Sequence, residues 1–357
     1  MPSHWASNFG GSEYQVRCLL DLLVSSSKFD IYYLARHVNP QYASAGYNII
    51  QINKGGGLWR HGLFLDLPQL HKAIHKLQPD VIYQRVGCAY TGATAYYSKY
   101  NNCNMIWHAS HDEELLNVPN LSQNLLSRQF DKTLLRYGIR HANYIITQTH
   151  KQATLLRQQF NREPDLIVPN FHPRPVELVD VKKRHDVVWV ANLKKWKRPE
   201  LFVKLADALR TFQSVNFIMI GRGGHSEWHR RIIAQAHQTQ NLNYIGECTQ
   251  EEVNRYLSTA KIFVNTSSSE GFPNTFIQAW MRKVPVVSLN VNPDAVFDQE
   301  QVGFVSGTFE QMVSDVKKLI QDDMLRQSMG NNACRYAMRV HSEENALQIV
   351  QFIDACA

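Results

Sequence analysis

Short apolar runs alternate along the chain with longer amphipathic segments, which is the pattern of a parallel sheet covered by helices on its faces. In the first half, "FDIYYLA" (29–35), "YNIIQI" (47–52), "DVIYQR" (80–85), "NMIWHA" (104–109), "YIITQ" (144–148) and "LIVPN" (166–170) predict strands. Helical patterns lie between them, among them "GSEYQVRCLLDLLVSS" and "LPQLHKAIHKLQ". The polar stretch "NFHPRPVELVDVKKRH" (170–185) carries Pro173 and Pro175 without starting a helix, and marks a domain boundary. A second series then opens with "DVVWVANL" (186–193) and continues through strands at 216–221, "LNYIGE", 261–267 and 284–290, with a helix between each pair. The expected fold class is α/β: two doubly wound, Rossmann-like parallel-sheet domains over 1–172 and 184–335, with a C-terminal helix near 340–357 packing back on the first.

Ligands of such open sheets bind beyond the carboxyl ends of the strands. That rule directs attention to Asn192, Gly221 and Glu270, each of which directly follows a predicted strand. In "SSSEGFPNTFIQAW" (267–280) glycine and proline turn the backbone into a helix, whose free N–H groups and positive dipole end favour phosphate. Asn274 and Thr275 are residue types that cap helices. The same stretch also fits a capped helix with a flexible entry and no ligand. Lys197 in "VANLKKWKRPE" is the natural cationic partner for a phosphate, with Pro199 marking the first helical turn. Its neighbours Lys194 and Lys195 fit a solvated charge run. "NFGGSEYQ" is a second glycine-bent loop feeding a helix, with Gly10 and Gly11 for close approach and Ser12 as the expected cap. "GRGG" (221–224) lacks the full dinucleotide spacing, so a nicotinamide cofactor is not supported.

"WHASHDEE" (107–114) gathers His108, His111, Asp112, Glu113 and Glu114 at a strand end. The spacing matches no zinc helix motif, and histidines touching a hydroxylated substrate fit better. No G-x-S-x-G and no Walker loop is present, which sets aside two common enzyme classes.

Composition narrows the partners. With 357 residues, 44% hydrophobic and 19% charged, the chain has the balance of a soluble globular protein. Its net charge of +7 is uneven: residues 1–171 hold 16 Lys+Arg against 11 Asp+Glu. The excess is dispersed rather than blocked, which argues against nucleic acid and leaves phosphates, anionic headgroups and acidic sugars. "SQNLLSRQFDKTLLRYGIRHA" spaces apolar and basic residues helically, including Arg128, Lys132 and Arg136, as either a peripheral membrane contact or an ordinary core-facing helix. The six cysteines form no C-x-x-C, and no apolar run approaches the ~18 residues that span a bilayer. "MPSHWASNFGGSEYQ" has neither a basic start nor an apolar stretch. A cytoplasmic setting is the expectation.

The segments "VWVANLKKWKRPE", "IMIGRGG", "NYIGECTQEEVNRYLSTAKIFVNTSSSEGFPNTFIQAW" and "VPVVSLN" resemble the retaining, nucleotide-sugar-dependent glycosyltransferases of family four, which have the GT-B fold. The likeness covers about 184–300; in the first half it rests mainly on "GGSEYQ". It implies that Glu270 lies beside the donor sugar, while Lys197 and the stretch Gly271, Phe272, Pro273, Asn274 and Thr275 hold the diphosphate. Gly10 and Gly11 would close over the phosphates, and His108 or His111 would stand near sugar and acceptor. No metal and no cofactor are implied beyond the nucleotide-diphosphate sugar; the acceptor class is a glycan or lipid-linked intermediate of cell-surface polysaccharide synthesis.

Three departures from that pattern stand out. Gln278 occupies the position of a ribose-gripping glutamate, Asn192 that of an arginine, and the family's first apolar strand is missing before the Gly-Gly loop. The last predicts either an upstream extension or a truncation. Two other readings fit the same pattern: a nucleotide-sugar epimerase, and a GT-B binding protein without turnover.

Overall fold

The computed structural model describes residues 1–7, 10–44, 46–53, 63–116, 125–175 and 184–357, with the backbone alone at 125–128. It divides into two compact units. Unit 1 comprises Met1–Phe171 and Glu343–Ala357, and unit 2 His172–Ser342.

In unit 1 the described elements are α1 (Gly11–Ser26), β1 (Tyr32–Ala35), β2 (Asn48–Gln51), α2 (Leu67–Leu77), β3 (Val81–Arg85), α3 (Ala89–Tyr100), β4 (Asn104–His108), α4 (Leu125–His141), β5 (Tyr144–Thr147), α5 (His150–Phe160) and β6 (Leu166–Ile167). In unit 2 they are β7 (Asp186–Val190), α6 (Pro199–Ala208), β8 (Asn216–Ile220), α7 (Glu227–Gln238), β9 (Leu242–Gly246), α8 (Gln250–Thr259), β10 (Ala260–Asn265), α9 (Asn274–Met281), β11 (Val286–Ser288), α10 (Val296–Glu300), β12 (Gly303–Val305), α11 (Phe309–Gln321) and α12 (Asp323–Val340). The chain then re-enters unit 1 as α13 (Glu344–Cys356).

All described strand pairs are parallel. Unit 2 has the order β12-β11-β10-β7-β8-β9, so the chain reverses its direction of travel across the sheet between β7 and β10. Side chains alternate between two apolar layers. Trp189, Phe217, Met219, Ile262 and Val264 enter one, while Val188, Ile218, Ile220 and Phe263 enter the other. Burial on both faces explains why these strands are continuous apolar runs.

Among the described residues, unit 1 holds β3-β4-β5-β6 and, separately, β1-β2. The N-terminal segment contributes one parallel bridge, Ser3 to His37, rather than a strand. His4 N donates to His37 O (2.8 Å) and Arg36 N to Pro2 O (3.1 Å). α13 completes the unit 1 core, where Ala346, Ile349 and Ile353 join Leu19, Leu23, Ile106 and Ile146.

The helical pattern at 122–142 corresponds to α4, although 122–124 and the Arg128 side chain lie outside the described residues. α4 lies close against α3: a Cβ on Gly92 would come 2.4 Å from Leu134 O, and one on Gly138 2.4 Å from Thr91 O. Arg136 stacks over Phe160 at 5.2 Å. These contacts make α4 a core-packing helix along that side. Among the described residues, no helix is long and apolar enough to cross a membrane.

Buried histidines couple this packing to pH. His172 is 2% exposed, with Nδ1 2.9 Å from Pro173 O, and burial lowers its pKa to about 4. The unfolded chain, with an ordinary imidazole, takes up a proton that the folded one declines. Stability is therefore full above the unfolded value of 6.5 and falls with pH towards about 4. The expected loss from this group is about 2 kcal/mol by pH 5. Urea midpoints at pH 7 and pH 5 measure it, and His172→Gln is expected to narrow the difference; an unchanged difference contradicts the assignment.

Candidate functional site

The direction change between β7 and β10 opens a crevice at the carboxyl ends of those strands, the place where open α/β sheets take ligands. Two loops meet there. The first follows β7 and carries Asn192, half-buried between two backbone hydrogen bonds to the neighbouring β8 loop: Ala191 N to Ile220 O (3.0 Å) and Leu193 N to Arg222 O (3.0 Å). It ends in a 3₁₀ turn, Lys195–Lys197, and in Arg198, whose φ of 48° turns the chain into α6. The second follows β10 and carries Thr266 to Pro273.

Side chains bind these loops to each other. Thr266 Oγ1 donates to Lys197 O (2.6 Å) and accepts from Trp189 Nε1 (3.0 Å). Arg198 Nε donates to Thr266 O (2.8 Å), and Ser268 N to Trp196 O (2.8 Å). This scaffold brings Lys197 Nζ into an ion pair with Glu270 Oε1, which also accepts from Ser267 Oγ (2.7 Å). The two side chains are 20% and 10% exposed, so the pair sits in a partly desolvated recess where its charges act strongly. Lys194 and Lys195 are exposed, Lys194 lying 4.8 Å over the Trp196 ring.

Gly271, Phe272 and Pro273 are buried and lead into α9. The N-cap is Pro273, with extended φ/ψ, and no side chain caps the helix. Asn274 and Thr275 are thus the first two helical residues rather than caps: the proline fixes the turn one residue earlier than the capping preference suggests. Ser12 is displaced in the same sense, since α1 begins at Gly11 with Gly10 as its N-cap. Glu13 lies over this start, where a Cβ on Gly10 would come 2.2 Å from Glu13 Oε2.

Gln278 is 2% exposed on α9 and turns towards α8. Its Nε2 donates to Gln250 Oε1 (2.9 Å) and Asn254 Oδ1 (3.0 Å). The amide therefore serves as a bridge between helices, a use that explains a glutamine in this place. Gln278→Met removes both bonds and is expected to cost about 1–2 kcal/mol. Gln278→Glu should cost less, because the Gln250 and Asn254 amides can turn to donate to it. Chemical denaturation tests this order, and a glutamate less stable than methionine would refute it.

The two histidines belong to unit 1 and differ from each other. His108 is 1% exposed, with Nδ1 2.8 Å from Tyr83 Oη and 3.2 Å from Arg85 Nη1. Burial, helped by the Arg85 charge, holds its pKa well below the usual range. It is a buried, neutral histidine within unit 1: the sequence shows a polar residue at a strand end but not that Tyr83 and Arg85 enclose it. His111 is half-buried and caps the Asp112–Glu114 turn, Nδ1 accepting from Glu113 N (3.1 Å). Asp112 is paired with Lys151 (2.7 Å), and Glu114 Oε2 accepts from Ser110 N (2.8 Å).

Within unit 2, the structure thus brings Lys197 and Glu270 into contact beside the start of α9, with Asn192 on the same loop as Lys197. Trp189, Arg198, Thr266 and Ser267, which organise this contact, carried no signal beyond the serine-rich spelling "TSSSE".

Comparison with known proteins places these features. Residues 175–336 match the family model described as glycosyl transferases group 1. A poly(ribitol-phosphate) alpha-N-acetylglucosaminyltransferase of Staphylococcus aureus is 21% identical over 328 residues, 88% of this chain and 63% of that protein. The chain spans less than two thirds of the length of the first curated relatives it matches. Among solved structures, WaaG, a glycosyltransferase involved in lipopolysaccharide biosynthesis, superposes with a TM-score of 0.80 at 12% identity, covering 99% of this chain and 98% of the other. Anabaena Alr3699/HepE in complex with UDP-glucose gives 0.74 at 15% identity, covering 99% and 98%. The fold class is accordingly that of the GT-B proteins, as the motifs led us to expect.

Proposed function

From the match of residues 175–336 to the glycosyl transferases group 1, we propose that this protein moves a sugar from a nucleoside-diphosphate donor to a glycan or lipid-linked acceptor in cell-surface polysaccharide synthesis, retaining the anomeric configuration. The observation that carries the reading is the Lys197–Glu270 pair, braced at the switch point beside the start of α9, where the N-cap Pro273 makes no side-chain capping bond.

A departing diphosphate is the largest charge that develops in such a transfer, and preorganised positive groups stabilise it most. In this reading Lys197 and the amides at the start of α9 meet the diphosphate, and neutralise it in place of a metal. Glu270, positioned by Ser267, fixes where the ammonium stands and flanks the sugar. The acceptor hydroxyl attacks on the face from which the phosphate leaves, and that phosphate takes its proton. The UDP-glucose held by HepE and the polymer named for the staphylococcal relative support the donor and acceptor classes.

Thermal unfolding with uridine, guanosine, adenosine and cytidine diphosphates tests the reading, since a ligand of the folded state alone raises its melting temperature. One base is expected to stabilise the protein at millimolar concentration, and its sugar nucleotide to yield a product of unchanged anomeric form by NMR. Indifference to all four would overturn the proposal; an inverted product would remove its stereochemical part.

A further inference from the structure

Unit 2 carries a second polar cleft at the opposite ends of the same strands. Arg184 precedes β7, Lys261 stands at the start of β10, Lys283 lies in the turn before β11, and α12 adds Arg326, Gln327 and Asn331. Four cations and two amides thus line one pocket. β7 alone, five residues long, separates this end of the sheet from the Lys197–Glu270 end by about 16 Å.

Two of the cations are held by the main chain. Arg184 donates from Nη1 to Lys283 O (2.9 Å) and from Nη2 to Arg282 O (2.6 Å). Arg326 donates from Nη1 to Leu319 O (2.7 Å), while its Nη2 pairs with Asp323 (2.5 Å). Both are 4% exposed, so neither can relieve repulsion by swinging into water. Lys261 and Lys283 are half-buried beside them. Burial, and then the positive charge of Arg326, lower the Lys261 ammonium against the opposing pull of Asp323. A solvated charge cluster spreads apart; here the two guanidinium groups are fixed by backbone carbonyls.

We propose that this cleft is an anion site for a phosphoryl group, separate from the donor crevice. A phosphoryl group brings about two negative charges and three acceptor oxygens, which suits two guanidinium groups, two ammonium groups and two amides better than a single carboxylate does. The same chemistry is offered by a free phosphate or pyrophosphate ion and by a phospholipid headgroup.

Lys261→Gln/Lys283→Gln leaves the two structural arginines in place and tests the site. In chloride buffer the double variant should melt no lower than the wild type, because it removes repulsion; a lower melting point contradicts the account of a compressed cation cluster. Inorganic pyrophosphate at ten times its Kd and constant ionic strength should raise the wild-type melting temperature by about 3–5 °C. In Lys197→Ala, where the donor crevice has lost its cation, the rise should persist, and adding Lys261→Gln/Lys283→Gln to that variant should abolish it. Loss in Lys197→Ala instead would place the anion in the donor crevice and overturn the proposal.

Co-sedimentation with phosphatidylcholine vesicles, with and without phosphatidic acid, forms the other arm. Binding that needs phosphatidic acid and both lysines supports the site with a headgroup as its source. Neither stabilisation nor vesicle binding, or an effect undiminished by Lys261→Gln/Lys283→Gln in the Lys197→Ala background, overturns it.

Discussion

Lys197→Ala is expected to lower donor turnover by about 100- to 1000-fold, the cost of removing one preorganised donor from a developing anion. Lys194→Ala, which truncates an exposed side chain lying over the Trp196 ring, should stay within about twofold. The contrast matters because the two lysines are three residues apart and share a charge. Only one is aimed by the Thr266 hydroxyl and Arg198 into the crevice. A structural objection is that losing Lys197 strands the Glu270 carboxylate with Ser267 as its remaining hydrogen-bond donor in the described contacts. Lys197→Ala/Glu270→Gln answers it: if the stranded charge is the whole cause, the double variant recovers activity, and if the diphosphate has lost its counter-charge, it does not. Equal effects at Lys194 and Lys197 would mean that the phosphate binds elsewhere.

Gly221→Ala should have the largest effect on folding. A Cβ there would stand 1.7 Å from Ala191 O and 2.6 Å from Ala191 C, both backbone atoms, at a φ of 154°. No rotamer change relieves a clash of main chain with main chain. The surroundings are also committed, since Gly221 N donates to Gly246 O (2.7 Å) and Tyr244 Oη to Gly221 O (2.9 Å). We expect a loss above about 4 kcal/mol, seen as disappearance of the cooperative unfolding of unit 2. Gly246→Ala is the control: φ is 88°, but nothing lies within 4 Å of the added carbon. Its cost should be torsional alone, about 1–2 kcal/mol. Similar costs at both positions would show that the close approach at Ala191 is easily relieved.

The periodicity located most of the sheet because strands buried on both faces must be apolar throughout, and that leaves a mark in any single sequence. β12 escaped notice because three residues, "GFV", make no period. α3 is faint in the sequence for the opposite reason. "AYTGATAYYSKY" is rich in aromatic and β-branched residues with a central glycine, and becomes a helix because α4 packs on it at Gly92. At the candidate site, Glu270 and Lys197 were legible from their places after strands. The braces were not: Trp189 meets Thr266 across 77 positions, and no local rule links them. His108 shows the same limit, since a strand-end histidine looks identical on paper whether it faces a substrate or Arg85.

The return of α13 to unit 1 orders events during synthesis. Residues 343–357 leave the ribosome after all of unit 2, so unit 2 can close its sheet while unit 1 still lacks the helix that covers Leu19, Leu23, Ile106 and Ile146. Contacts between α1 and α13 join residues more than 300 positions apart, among the slowest kind to form. The first unit to be made is thereby the last to be finished, and until then its apolar face is the one a chaperone would meet.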